Sequence, residues 1–369
     1  MVEGATSPAK VVVKVGSSSI TTERGELDDA AVLKLCGELA AAHHAGHEVV
    51  LVCSGAIAAG LPALAMPGRP TDIGTLQAVA AVGQPKLMER IGGILSEHGL
   101  VAGQVLLTPH DFAQRAQYLH ARETLRRLLD LGVIPIVNEN DTVADDEIRY
   151  GDNDRLAALV SHLVSADLLV LLTDTPGLFT ADPRLDAEAS LIEEIAEVDA
   201  ALEAVAGASG TIRGSGGMAS KLAAAKIAAW SGVRAVIASA ESPSVVLDAV
   251  GGKSIGTVIR PREHRLPSRK LWIAFAQRAA GRVIVDDGAR RALTRDGRSL
   301  LPAGVRDVEG RFDAEDAVEV VGEDGRPFAK GLARVSGDAL RAIAGRRTSD
   351  LPDGTPHEVI HRDDLVVLP

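Results

Sequence analysis

The sequence contains few aromatic residues, few cysteines and no long apolar run. Aromatic residues make up 2% of its 369 positions, so the core must be aliphatic and drawn from a hydrophobic fraction of 46%. There are 2 cysteines, Cys36 in a helical pattern and Cys53 at the end of a strand pattern, and both are typical of small buried apolar residues. We therefore expect no disulfide and a reducing compartment.

Signals for membranes and for bulk nucleic acid are also missing. No apolar stretch approaches the roughly 18 residues that span a bilayer, and the opening MVEGATSPAK lacks the apolar run of a signal peptide. The formal net charge is −11, which disfavours non-specific nucleic-acid binding by the whole surface. These absences predict a cytoplasmic protein that does not contact a membrane.

Several catalytic motifs are absent as well. No spacing of Cys and His indicates zinc, and no G-x-S-x-G motif indicates a serine hydrolase. The glycines of GSGGMASK, from Gly214 to Lys221, fit neither the P-loop pattern nor G-x-G-x-x-G. A glycine cluster that leads into a helical pattern nevertheless suits phosphate, because free backbone N–H groups and a helix N-terminus attract anions.

The first two thirds of the chain alternate between strand and helix patterns. The strand patterns are apolar throughout, and they occupy 10–15, 48–53, 101–107, 133–137, 168–172 and 234–239. The helical patterns between and after them occupy 28–45, 73–98, 118–131, 153–165 and 218–230. This order predicts an α/β fold, a three-layer α/β/α sandwich whose mainly parallel sheet is covered on both faces.

A Pro- and Arg-rich stretch at 260–270 separates two regions whose predicted secondary structure differs. The segments after it are shorter and more β-like, with a hairpin signal at Glu323-Asp324-Gly325. We therefore predict an α/β domain at 1–265 and a small β-rich domain at 270–369.

Polar and glycine-rich segments follow the predicted parallel strands, where the functional loops of such a sheet lie. They include KVGSSS (14–19), SGA (54–56), NENDT (138–142), GDND (151–154) and TD (173–174). Each alone is typical of a turn or a helix cap. Their shared position at one sheet edge indicates a functional site.

The residue types in these segments favour phosphoryl transfer. Lys14 and Lys221 lie in glycine contexts, several Asp and Asn accompany them, and no histidine is nearby to act as a base. Phosphoryl transfer needs mainly positioning and charge neutralisation. A carboxylate acceptor is already ionised at neutral pH and needs no base. Lys221 could instead be an exposed helix residue without a catalytic role. Lys14 is harder to explain in that way, because a lysine inside an apolar strand needs compensation of its charge.

Read in order, these motifs resemble the amino-acid kinase family. The matching segments are KVGSSS (14–19), SGAIAAG (54–60), AAVGQ (80–84), NENDTV (138–143), GDND (151–154), LLTDTPGLFTADPR (171–184) and GSGGMASK (214–221). SGAIAAG with AVGQ and NEND is most similar to the branch that phosphorylates the side-chain carboxylate of glutamate in the first step of proline biosynthesis. The C-terminal part, with GRVIVDDGARRAL and SLLPAG, resembles a PUA domain.

The resemblance implies roles for individual residues. Lys14 and Lys221 would stabilise the transferring phosphoryl group and Asp154 would orient them. Ser54, Asp141 and Asn153 would bind glutamate. The residues implied in ATP binding are Lys14, Gly16, Ser17, Thr173, Asp174, Ser215, Gly216, Gly217, Met218, Ala219, Ser220 and Lys221. Ser17 and Ser215 replace a common threonine and keep its hydroxyl. No protein ligand of a metal is assigned.

The resemblance also implies cofactors and partners. It implies ATP with Mg²⁺, L-glutamate as acceptor, proline as feedback inhibitor, a homo-oligomer (dimer or tetramer) and the next enzyme of the proline pathway as a contact. Another amino-acid kinase, acting on aspartate or N-acetylglutamate, is the alternative within the family. A different class would be an RNA-associated protein acting through the PUA-like domain, but that domain has balanced charge and few aromatic residues for stacking, which disfavours RNA.

Overall fold

The structure, a computed structural model, describes residues 7–22, 25–143, 153–208, 217–263, 265–352, 354 and 356–368. The chain forms two compact units, Met1–Arg265 and Leu266–Pro369. Each unit has its own cluster of buried apolar side chains.

The first unit alternates strands and helices. Its strands are β1 (Lys10–Val15), β2 (Glu48–Cys53), β3 (Val101–Leu107), β4 (Val133–Glu139), β5 (Leu168–Thr173), β6 (Glu194–Ile195), β7 (Arg234–Ser239) and β8 (Thr257–Ile259). Its helices are α1 (Asp29–His44), α2 (Ala56–Gly60), α3 (Ile73–Glu97), α4 (Pro109–Ala113), α5 (Arg115–Asp130), α6 (Asn153–Val164), α7 (Ala200–Ala208), α8 (Met218–Trp230) and α9 (Val245–Val250).

Within the described residues, these strands form one sheet in the order β3-β4-β2-β1-β5-β7-β8-β6. Neighbouring strands run parallel except at the antiparallel pair β7 and β8. The central strands are almost entirely buried because helices cover the sheet, and β5 is buried along its whole length. The predicted mainly parallel α/β fold is confirmed.

Successive side chains of β1 point to opposite faces of the sheet, and different helices cover the two faces. Val11, Val13 and Val15 pack into the cluster that contains apolar side chains of α1, α3 and α9. Lys14 occupies the opposite parity, so its side chain projects from the other face. There α6 contacts β1 and α8. The strand thus directs its one internal lysine toward α6 and α8.

Two glycines let α2 lie directly on α3. A Cβ on Gly83 of α3 would lie 1.7 Å from the carbonyl oxygen of Ala56, and a Cβ on Gly60 of α2 would lie 2.2 Å from that of Val79. Such distances are impossible for real atoms, so both positions require glycine. Gly55, with φ +117, makes the turn from β2 into α2.

The second unit is a small β-rich domain. Its strands are β9 (Gly281–Val285), β10 (Val305–Gly310), β11 (Ala317–Val321), β12 (Pro327–Leu332) and β13 (Leu365–Val367), in the order β10-β9-β11-β12-β13. Its helices are α10 (Ser268–Leu271), α11 (Asp287–Thr294) and α12 (Gly337–Ile343), with a π-helical turn at Trp272–Ala276. The sequence patterns did not predict this turn.

Candidate active site

Two lysines far apart in sequence meet one carboxylate. The ammonium of Lys14 forms an ion pair with Oδ1 of Asp154, and Nζ of Lys221 lies 3.3 Å from Oδ2 of the same residue. Lys14 comes from the end of β1, Asp154 from the first turn of α6 and Lys221 from the first turn of α8. Their exposed fractions are 4%, 0% and 5%. The structure thus brings together the three residues that the sequence predicted as catalytic.

The charge of Asp154 is maintained despite its burial. Burial would raise the pKa of its carboxyl group, but Lys14 and Lys221, with hydrogen bonds from Lys14 and Ser220, hold that pKa below its ordinary value. The carboxyl group is therefore ionised at neutral pH. Among the described residues, this buried cluster combines two ammonium groups with one carboxylate, a combination that favours the binding of an anion.

The start of α8 surrounds the same carboxylate. Gly217 is the N-cap of α8, and the hydroxyl of Ser220 donates to Oδ2 of Asp154 at 2.6 Å. Met218 and Ala219 occupy the first turn beside them. On the other side, a Cβ on Gly16 would lie 3.4 Å from Nζ of Lys14. The N-terminus of α8 therefore lies close to the lysine pair, where its backbone N–H groups favour an anion.

Asn153, the residue before Asp154, belongs to a second network. Its Nδ2 donates to the hydroxyl of Ser54 at 2.8 Å, to the carbonyl oxygen of Cys53 at 3.0 Å and to Oδ1 of Asn138 at 3.0 Å. The structure therefore places the predicted glutamate contacts Ser54 and Asn153 in direct contact. Ser54 follows β2 and Asn138 lies near the end of β4, and because these two parallel strands are neighbours, the network lies at the carboxyl edge of the sheet.

Two further members of this network received no role from the sequence. Asn138, 1% exposed, donates through Nδ2 to Oε1 of Gln84 at 2.8 Å. Gln84 lies on α3 and is 8% exposed. Both residues stand inside the recognised motifs AVGQ and NEND. Buried amides at the end of a strand and inside an apolar helix face are the signal that could have identified them.

Asp141, the third predicted glutamate contact, follows β4 and is half-buried. Burial raises the pKa of its carboxyl group to about 6, and the nearby positive charge of Arg69 acts in the opposite direction. A carboxyl group that titrates close to neutral pH is typical of functional sites. The structure gives no direct contact between Asp141 and Asn153 or Ser54.

Thr173 and Asp174, predicted to bind ATP, lie at the end of β5. The hydroxyl of Thr173 donates to Oδ1 of Asp174 at 3.1 Å, and its carbonyl oxygen accepts from the backbone N–H of Ala240 at 2.8 Å. The strand end is thus tied to the loop after β7. The role of both residues in ATP binding stays a prediction.

A cavity of about 460 Å³ opens beside this strand end. Thr173 and Asp174 line it together with Ser18 and Ser19, whereas the predicted Ser17 does not. The other lining residues include Val15 and side chains of α1 and α9, so the cavity lies on the sheet face opposite Lys14. Its described lining includes neither Lys14 nor Lys221.

Part of the predicted site lies outside the described residues. Ser215 and Gly216 fall in the segment 209–216, and Gly151 and Asp152 of the GDND motif fall in 144–152. Elsewhere in the chain as described, no group of three or more His, Cys, Asp and Glu could hold a metal ion. No helix in those ranges is long and apolar enough to cross a bilayer. Cys36 and Cys53 are buried free thiols, as expected.

Comparison with known proteins shows the family to which the chain belongs. Residues 9–239 match the amino acid kinase family and residues 281–354 match the PUA domain. The chain therefore belongs to the amino acid kinase family, as its motifs predicted. The matched residues include the whole lysine and carboxylate cluster.

Within that family, the chain is similar along almost its whole length to proteins named glutamate 5-kinase. The one from Trichlorobacter lovleyi is 46% identical over 97% of this chain and 96% of its own length. Those from Caldanaerobacter subterraneus subsp. tengcongensis and Moorella thermoacetica are each 45% identical over 97% of this chain, covering 98% and 96% of their own lengths. The motifs predicted the glutamate-phosphorylating branch of the family, and this prediction is confirmed.

Proposed function

We propose that this protein transfers the γ-phosphoryl group of ATP to the side-chain carboxylate of L-glutamate, giving L-glutamyl 5-phosphate and ADP, the first step of proline biosynthesis. The observation that supports this most strongly is the buried pair Lys14 and Lys221 on the two oxygens of Asp154. The similarity to proteins named glutamate 5-kinase supports the choice of acceptor.

The geometry of the cluster suits transfer between two anions. The acceptor carboxylate and the γ-phosphate repel each other, and two ammonium groups in a buried site reduce that repulsion most strongly as the reacting atoms approach. Asp154 holds both ammonium groups toward one place, so it acts by positioning them. The acceptor oxygen is already ionised at neutral pH, so no general base is required.

Nucleotide binding is proposed for the turn after β1 and for the start of α8. Gly16, Ser17 and the residues from Ser215 to Lys221 would surround the phosphates with backbone N–H groups and hydroxyls. Thr173 and Asp174 would contact the rest of the nucleotide. The first unit, 1–265, would thus be the catalytic domain, and 270–369 would be a PUA domain with a structural or regulatory role.

Mg²⁺ fits this site as a partner of the nucleotide. Both oxygens of Asp154 already contact lysines, and one also accepts from Ser220, so this carboxylate suits orientation better than metal binding. Mg²⁺ in kinases is held largely by phosphate oxygens and water. When bound there it would neutralise charge on the β- and γ-phosphates.

Other expectations accompany this function and stay predictions. Proline would act as feedback inhibitor at or over the glutamate site, the protein would form a dimer or tetramer in the cytoplasm, and the next enzyme of the pathway would be a contact. RNA binding through the second unit is disfavoured, and a steep dependence of RNA affinity on salt would contradict this.

A coupled assay of ADP formation tests the acceptor. L-glutamate, L-aspartate and N-acetyl-L-glutamate are supplied separately with ATP and Mg²⁺, each with and without proline. We expect ADP formation with glutamate, and its inhibition by proline. ADP formation with aspartate or N-acetylglutamate but not with glutamate would contradict the proposed acceptor and favour another member of the family.

A further inference from the structure

The orientation of the Asn138 amide is fixed by the backbone. The N–H of Glu139 donates to Oδ1 of Asn138 at 2.9 Å. A backbone N–H can only donate, so the atom that faces it must be the amide oxygen. The other atom of this amide is therefore the NH₂ group, and it faces Gln84.

This orientation determines that of Gln84. The atom that receives the hydrogen bond from Nδ2 of Asn138 must be Oε1, so Nε2 of Gln84 points away from Asn138. That NH₂ group is buried and has no hydrogen-bond partner among the described residues. A buried donor without a partner is energetically unfavourable, because it has lost its hydrogen bonds to water and gained none in return. Such a group at a functional site is suited to a ligand that accepts hydrogen bonds.

The same reasoning fixes Asn153. Its Nδ2 donates to the backbone carbonyl oxygen of Cys53, which can only accept. Oδ1 of Asn153 therefore points the other way, and it is buried with no partner in the parts of the chain that the structure describes. Among the described residues, the network thus presents an unpaired donor on Gln84 and an unpaired acceptor on Asn153, and both amides are hydrogen-bonded to Asn138.

These two atoms match the head group of an amino acid. An α-carboxylate accepts hydrogen bonds and an α-ammonium group donates them. Asn153 directly precedes Asp154 in α6, so the amide network lies beside the lysine pair. A substrate held at its α-carbon by the amides could place its side-chain carboxylate toward the lysines.

We propose that Gln84 determines substrate specificity by donating from Nε2 to the α-carboxylate of the amino-acid substrate, while Oδ1 of Asn153 accepts from its α-ammonium group. This assignment rests on the proposed function. It adds Gln84 to the residues that touch the substrate and gives Asn138 a positioning role, because the amide of Asn138 holds both neighbours in the required orientation.

The test exchanges the donor of Gln84 for an acceptor. Gln84→Glu keeps an oxygen for Nδ2 of Asn138 but replaces the free NH₂ group with a carboxylate oxygen. The acceptors are L-glutamate and its α-amide, which keeps the side-chain carboxylate and presents an NH₂ group in place of one α-carboxylate oxygen. Both are assayed at alkaline pH, where the introduced carboxyl group is ionised.

The expected result is a change of preference. The ratio of kcat/KM for glutamate to kcat/KM for the α-amide should fall by about 100-fold in Gln84→Glu, because the new carboxylate repels the α-carboxylate and accepts from the amide. The KM for ATP should stay within about twofold of the original. A purely structural role of Gln84 would lower both kcat/KM values equally and leave their ratio unchanged.

Two further variants keep the test decisive. Gln84→Met removes both amide atoms without adding charge and should raise the KM for glutamate by about tenfold or more. Lys86→Met, at an exposed position of the same helix, should change nothing. An unchanged ratio in a folded Gln84→Glu protein, or an unchanged KM in Gln84→Met, would overturn this assignment. Absence of ADP formation from glutamate in the unaltered protein would instead overturn the proposed function.

Discussion

Asn153 and Asp154 are consecutive residues at the start of α6, yet their side chains belong to two different networks. The amide of Asn153 contacts Ser54 and Asn138 at the ends of β2 and β4. The carboxylate of Asp154 contacts the lysines from β1 and α8. One helical turn thus fixes the proposed place for the amino acid relative to the proposed place for the phosphoryl group, and in-line transfer requires such a fixed relationship.

Replacing either lysine should abolish most turnover. Lys14→Met or Lys221→Met removes one of the two charges that oppose the repulsion between donor and acceptor, and kcat should fall by about 10³-fold. The matched controls are Lys10→Met on the same strand as Lys14 and Lys226→Met on the same helix as Lys221. Both controls should keep nearly full activity, since Lys10 and Lys226 are only partly buried and form ion pairs with Glu48 and Glu203 outside the cluster around Asp154. Near-normal kcat in Lys14→Met or Lys221→Met would contradict the charge argument.

Asp154→Asn should weaken both activity and folding. Two buried ammonium groups then lose the carboxylate that they share, and breaking a buried pair of this kind costs about 3–5 kcal/mol. Chemical denaturation at neutral pH should show this loss of unfolding free energy. The control Asp130→Asn, at an exposed position, should have the same unfolding free energy as the original protein.

The loss in Asp154→Asn should also depend on pH. The pKa of Asp154 is depressed in the folded protein, so its contribution to stability is complete above the unfolded pKa of about 4 and is lost as pH falls through the folded value. The difference in unfolding free energy between the two proteins should therefore shrink below about pH 4. A difference that stays constant down to lower pH would contradict the depressed pKa.

Asp141 should make glutamate binding sensitive to pH. Its pKa of about 6 means that it is ionised above that pH and neutral below it. If its carboxylate binds the substrate's ammonium group, the KM for glutamate should rise as pH falls below about 6, while the KM for ATP stays flat. Asp141→Asn should show a high KM that no longer changes in this range. A pH-dependent KM in Asp141→Asn would assign the titration to another group.

Gly83→Ala should displace α2 from α3. The added Cβ would lie 1.7 Å from the carbonyl oxygen of Ala56, so the two helices must separate at a cost of about 3 kcal/mol. Because α2 follows Ser54 and Gly55, the KM for glutamate should rise too. Gly93→Ala, in open space on the same helix, should leave stability equal or slightly higher. Equal melting temperatures for the two variants would contradict the close packing.

Most of the fold followed from short-range patterns in the sequence. Largely apolar strands such as β1 and β5 can be buried on both faces only in a parallel sheet covered by helices, and this indicated the architecture. The lysine in β1 was informative for the same reason. A charge in such a strand needs a partner, and the structure supplies Asp154.

The amide network could not be predicted in this way. Gln84, Asn138 and Asn153 lie on three separate elements, and no local periodicity relates them. Their hydrogen bonds depend on the positions of α3, β4 and α6 in the folded sheet. The contact of Gly83 with α2 and the π-helical turn at Trp272–Ala276 likewise result from tertiary packing, which overrides local preference.

The most direct test is to trap the product. An acyl phosphate formed from ATP and glutamate reacts with hydroxylamine to give a hydroxamate, which distinguishes transfer to a carboxylate from simple ATP hydrolysis. We expect the original protein to form γ-glutamyl hydroxamate in equal amount to ADP, and Lys14→Met and Lys221→Met to form about 10³-fold less in the same time. ADP without hydroxamate, or undiminished hydroxamate from a folded Lys14→Met protein, would contradict phosphoryl transfer to glutamate at the Lys14, Asp154 and Lys221 cluster.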